Sequence, residues 1–77
     1  MMIGEKVLVV SNTSGARLET YIIPGARESG IIGINSAAAH LIKVGEEIII
    51  MGFELSDQPI SPKIVLVNRQ NQFEKYL

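Results

Sequence analysis

A chain of 77 residues holds one small domain at most and lies near the lower size limit for a self-sufficient hydrophobic core, so partner chains are expected. Seven basic against eight acidic residues, a net charge of −1 and a pI near 5.7 exclude the clustered Lys and Arg that grip nucleic-acid phosphates. No cysteine and a single histidine exclude disulfides and a zinc constellation; no apolar run reaches the ~18 to 20 residues of a membrane span and the first residues lack a signal-peptide pattern, so a soluble, cytoplasmic protein is expected.

The first element is the run Lys6-Val7-Leu8-Val9-Val10, apolar almost without break and rich in β-branched residues, as in a strand buried on both faces or set in a barrel wall. Asn12-Thr13-Ser14-Gly15 follows as a cluster of turn formers, which predicts a hairpin. The next strand, Arg17 to Ile23, alternates. Leu18, Thr20 and Ile22 fall on one face, the natural core face, and Arg17, Glu19, Tyr21 and Ile23 on the other. Pro24-Gly25 stops the ladder, 26–30 reads as a polar loop, and Ile31-Ile32-Gly33-Ile34 reads as a further short strand.

Asn35 or Ser36 is a suitable N-cap for a short helix through Ala37, Ala38, Ala39, His40, Leu41 and Ile42, ended by Val44-Gly45. Glu46 to Phe53 carries the apolar run Ile48-Ile49-Ile50-Met51 and reads as a central strand. Glu54 to Pro62, with two prolines, reads as a loop with one helical turn at Leu55 to Gln58. Lys63 to Val67 reads as a buried-type strand, Asn68 to Asn71 as a polar turn, and Gln72 to Tyr76 as a weak final strand. Five or six short strands and one small helix predict a mainly β fold, a compact barrel that removes free edges. An all-β sandwich fits the same string.

The stretch 16–40 offers the most specific candidate site. Three small residues after Asn35-Ser36 let a ligand approach main-chain N–H groups, next to a strand bearing Arg17, Thr20 and Tyr21. On their own these residues also have ordinary readings. Tyr21 suits a strand aromatic, His40 a helix C-cap, and Glu46, Glu47, Glu54 and Asp57 solvated loop or edge positions. No carboxylate pair or phosphate loop stands out.

Four segments in order resemble the pyruvoyl-dependent aspartate 1-decarboxylases: Asn12 to Tyr21, Gly33-Ile34-Asn35-Ser36-Ala37-Ala38-Ala39-His40, Val44-Gly45 before an apolar strand, and Ser61-Pro62-Lys63-Ile64-Val65-Leu66-Val67. The resemblance runs from about Gly4 to Glu74. It implies a double-psi β-barrel, 1–77 forming a single domain that is the barrel portion of an α chain, and a tetramer with active sites between subunits. It also implies conversion of L-aspartate to β-alanine and CO2 for pantothenate synthesis. By the same resemblance Tyr21 returns a proton after CO2 leaves, Arg17 holds a substrate carboxylate, Thr20 lies in the pocket, and Asn35, Ser36, Ala37 and Ala38 cradle substrate. Ser36 stands where the family usually has Gly.

The family's electron sink is a pyruvoyl group made by self-cleavage of a Gly-Ser bond. No Gly-Ser dipeptide occurs in these 77 residues. The expectation is therefore that the group, and the small β-chain segment that precedes it in the family, are supplied from outside this chain, that barrel edges stay unpaired without them, and that the 77-mer alone is inactive and oligomeric. A non-enzymatic reading also fits, a swapped-hairpin transcription-regulator-like dimer, to which Leu41-Ile42-Lys43-Val44-Gly45-Glu46-Glu47-Ile48 is similar. Such dimers bind DNA through a basic face that this acidic chain lacks.

Overall fold

The computed structural model describes residues 2–25, 27 and 29–77, the side chains of 36 and 37 excepted. Among these residues five short strands and one 3₁₀ turn follow in the order β1 (Lys6–Ser11), β2 (Arg17–Tyr21), the turn Ser36–His40, β3 (Ile48–Met51), β4 (Val65–Val67) and β5 (Phe73–Tyr76). Small antiparallel sheets with almost no helix make this a mainly β chain, consistent with a small β-barrel-like fold. The chain divides into two compact units, Met1–Pro24 with Gly33–Phe53, and Gly25–Ile32 with Glu54–Leu77.

The first unit is a three-stranded sheet in the order β2-β1-β3. β1 meets β2 antiparallel, with Lys6 opposite Tyr21, Val7 opposite Thr20, Leu8 opposite Glu19, Val9 opposite Leu18 and Val10 opposite Arg17. The hairpin expected from the Asn-Thr-Ser-Gly cluster forms, and Gly15 takes φ 82° within it, a left-handed conformation that costs glycine little. On its other edge β1 pairs antiparallel with β3, Val9 facing Ile50 and Ser11 facing Ile48. The strand at the centre is therefore β1, and β3, expected to be central, lies at an edge. Sheet order is fixed by pairing between distant segments, which an apolar run does not encode.

Because successive side chains alternate across a strand, this register sorts the sheet into two faces. The inner face carries Val7, Val9 and Ser11 of β1, all buried. Val7, Val9 and Ile42 form the buried apolar cluster, and Ala16, Leu18, Ile22, Ile34 and Ile48 pack against it. Leu8 and Val10, on the outer face, are half-buried, so β1 is covered fully on one face and partly on the other.

In the second unit β4 and β5 form an antiparallel hairpin with a bulge between Leu66 and Val67. Phe73 and Tyr76 meet edge to face, ring centroids 5.1 Å apart. Every residue of both strands is exposed, which corrects the buried strand expected over Lys63 to Val67: β-branched composition fits a pleat whether or not anything covers it.

Two further expectations change. Ile31 to Ile34 form no strand. Gly30 instead turns the chain at φ 68°, and its carbonyl accepts from Asn71 Nδ2 at 2.7 Å, so the main chain is tied to a turn rather than to a ladder. Leu55 to Gln58 form a bend held by Ser56 Oγ, which donates to the Gln58 carbonyl at 2.9 Å, not a helical turn. The loop expected over 26–30 includes Ala26 and Glu28, which lie outside the described residues.

Candidate functional site

The sequence-predicted residues all belong to the first unit, and the register of β2 divides them. Arg17, Glu19 and Tyr21 alternate along its exposed face, while Leu18 and Thr20 are half-buried on the inner one. Tyr21 is 61% exposed and stands across from Lys6. Arg17 stands across from Val10 and forms no ion pair among the described residues, where Lys6 and Glu19 make the only one, Nζ to Oε2 at 3.0 Å. A guanidinium and a phenol thus share one open strand face about 13 Å apart, from ~3.3 Å per residue. Both side chains are long enough to converge on a small acid between them.

Thr20 points the other way, across from the buried Val7. Ile34 and Ile42, which bracket the Asn35 to Ala38 segment, pack on this inner side of the sheet. The structure therefore brings Arg17 and Tyr21 together on one face and separates them from Thr20. Asn35 sits in the N-cap position with extended backbone (φ −104°, ψ 157°) but makes no capping hydrogen bond with its side chain. The helix expected through Ile42 closes earlier as a five-residue 3₁₀ turn, in which the Leu41 N–H donates to the Ala38 carbonyl at 3.0 Å. His40 occupies the last turn, the expected C-cap place, yet the side chain that bonds a free carbonyl is Lys43, whose Nζ donates to Ala39 O at 3.1 Å.

Sequence reasoning missed Glu46. Read as a solvated residue, it is instead half-buried and gathers donors from two directions. Its Oε1 accepts from Ser11 Oγ at 2.5 Å and Ser14 Oγ at 3.0 Å, and its Oε2 accepts from the Lys43 N–H at 2.6 Å. These bonds, the Ser11 hydroxyl foremost, hold its carboxyl below the ordinary carboxylate range, with the Lys43 charge adding to them and partial burial opposing. Glu47 joins the same turn, accepting from Asn12 Nδ2 at 3.1 Å while its own N–H donates to Thr13 Oγ1 at 2.9 Å. The polar turn before Arg17 is thus clamped to 46–47, and the only sequence signal for this was the presence of three hydroxyl residues, Ser11, Thr13 and Ser14, and two glutamates 32 to 35 positions further on.

Among the described residues no group of three His, Cys, Asp or Glu could hold a metal ion, and no helix is long and apolar enough to cross a membrane.

Fold and site together define a small mainly β protein in which a guanidinium and a phenol share one open strand face. The aspartate decarboxylase family model matches residues 1–74, and the chain belongs to that family. It is similar to the aspartate 1-decarboxylases of Bacillus pumilus (strain SAFR-032), 47% identical over 81 aligned positions, and Bacillus subtilis (strain 168), 48% identical over 81. In both cases the alignment takes in 100% of this chain and 64% of the relative. The aspartate 1-decarboxylase of Clostridium botulinum (strain Alaska E43 / Type E3) is 49% identical over 75 positions, 92% of this chain and 60% of its own length. The chain therefore spans less than two thirds of the length of these curated relatives. The regulator-like alternative is not favoured by these matches.

Proposed function

We propose that this chain is the barrel portion, a single domain over 1–77, of a cytoplasmic aspartate 1-decarboxylase that converts L-aspartate to β-alanine and CO2 for pantothenate synthesis. What carries the reading is the pairing of Arg17 and Tyr21 on one open face of β2 in a chain of this family. Arg17 holds a carboxylate of the substrate through the parallel N–H groups of its guanidinium, which match a carboxylate's two oxygens. Tyr21 presents a phenolic O–H from which a proton passes to the substrate carbon that has lost CO2. Thr20 and the main chain of Asn35, Ser36, Ala37 and Ala38 serve the same reaction from the inner side of the sheet. These residues would flank a pyruvoyl group, which supplies the electron sink for decarboxylation when present. The donor set fits that role: a guanidinium without an ion pair among the described residues for the acid, and a phenol for the proton. No serine of these 77 residues follows a glycine, so the group and its β-chain segment come from outside them.

The division of the candidate residues between two faces of β2 supports a site completed by a second copy, in a homo-oligomer of the tetrameric kind the family forms. So does the exposed apolar surface of the second unit, where Val65, Val67, Phe73 and Tyr76 are each 45% or more exposed. The test is to isolate the protein from its own cells, follow ¹³C-labelled L-aspartate to β-alanine, and take an intact mass. Labelled β-alanine together with a ketone-ended partner chain supports the reading. A protein that leaves aspartate unchanged and carries no ketone-ended species contradicts it.

A further inference from the structure

On the outer face of β2, Glu19 lies between Arg17 and Tyr21. Two residues along a strand is about 6.6 Å, well within the reach of a guanidinium and a carboxylate, and Arg–carboxylate pairs are favoured by their two-point geometry. Left to itself, Glu19 would close over Arg17. The structure pairs it otherwise: Lys6 Nζ reaches diagonally across the β1–β2 ladder to Glu19 Oε2 at 3.0 Å, although Lys6 stands directly opposite Tyr21. Both residues line a groove of about 430 Å³ whose walls also include Leu8 and Phe53. Glu19 is thereby engaged on the side away from Arg17.

Building on the reading of Arg17 as the carboxylate holder, we propose that Lys6 is a positioning residue that keeps Glu19 off Arg17, so that the site stays open to a dicarboxylic amino acid. Without Lys6, Glu19 becomes a tethered competitor of the substrate carboxylate. Short tethers give effective concentrations in the millimolar range, at the upper end of ordinary KM values, so the competition is felt at working substrate levels. The freed charge also repels the carboxylates of the substrate directly. Both ionic side chains are largely exposed, 74% and 66%, and exposed ion pairs contribute little to folding, so the pair acts on binding rather than on the fold.

The experiment compares wild type, Lys6→Gln, Glu19→Gln and the double variant as the full native protein. Succinate is the probe, because it is a dicarboxylate without an amine and its binding needs no ketone. Binding is read at the Arg17 Nε–H resonance, identified by its loss in Arg17→Lys, and aspartate turnover is measured alongside. Lys6→Gln is expected to weaken succinate binding and raise KM for aspartate about three- to tenfold with kcat unchanged, and Glu19→Gln in the same chain to restore wild-type values. Unchanged succinate binding in Lys6→Gln overturns the proposal, and so does a loss that the double variant fails to restore. If wild type binds succinate at Arg17 but does not convert aspartate, the decarboxylase reading falls and the succinate comparison still decides the role of Lys6. If wild type does not bind succinate at Arg17, both fall.

Discussion

Ser11 donates its hydroxyl to Glu46 Oε1 at 2.5 Å, across 35 positions of sequence and from a side chain only 4% exposed. Ser11 Oγ in turn accepts from the backbone N–H groups of Thr13 at 3.2 Å and Ser14 at 3.1 Å, and the Ser11 N–H donates to the Ala16 carbonyl at 2.8 Å. One buried hydroxyl therefore fixes the turn that delivers the chain to Arg17. Ser11→Ala removes a donor and an acceptor at once, and about 1 to 2 kcal/mol of stability should go with it, read as a lowered urea midpoint at unchanged slope.

Glu46 gives the first unit a pH dependence of known sign. Its carboxyl titrates below the ordinary range in the folded chain, so the folded state favours the ionised form. That stabilisation is complete above the unfolded-state carboxylate range, near pH 4.5, and is lost as pH falls through the depressed folded value. Thermal melts of Glu46→Gln between pH 3 and 7 should show a smaller loss on acidification than wild type. Parallel curves for the two proteins would remove Glu46 from the account.

Gly30 is predicted to be intolerant of a side chain. Its φ of 68° is costly for an L-residue, and a Cβ built there would overlap the Gln70 carbonyl oxygen. Gly30→Ala should cost about 2 kcal/mol or more, measured as faster amide exchange at Asn71, whose own N–H donates to Asn68 O at 2.9 Å.

The two faces of the sheet should respond differently to truncation. Val9 is 2% exposed in the core cluster, whereas Ile49 on the outer face is 43% exposed. Val9→Ala is expected to destabilise by about 2 kcal/mol or more and Ile49→Ala by less, despite the larger side chain removed. Denaturant melts of the two variants decide this.

What the sequence revealed follows the range of each signal. The hairpin was legible because an alternating strand, a turn cluster and an apolar strand lie within 16 residues, and the shared face of Arg17 and Tyr21 followed from period-two alternation alone. The edge position of β3, the Lys6–Glu19 pair and the Ser11–Glu46 bond were not legible, since each depends on register or on pairing between distant segments. Ile31-Ile32-Gly33-Ile34 has strand composition but no ladder partner, and composition carries no information about partners. The separation of Thr20 from Arg17 and Tyr21 was visible in the alternation, and the register bears it out.

The central claim is that the open face of β2 binds and protonates a small amino diacid, and steady-state kinetics of the native protein with Tyr21→Phe and Arg17→Ala test it most directly. Tyr21→Phe should lower kcat for β-alanine formation at least a hundredfold with KM little changed, and Arg17→Ala should raise KM. Wild-type kcat and KM in both variants would contradict the account.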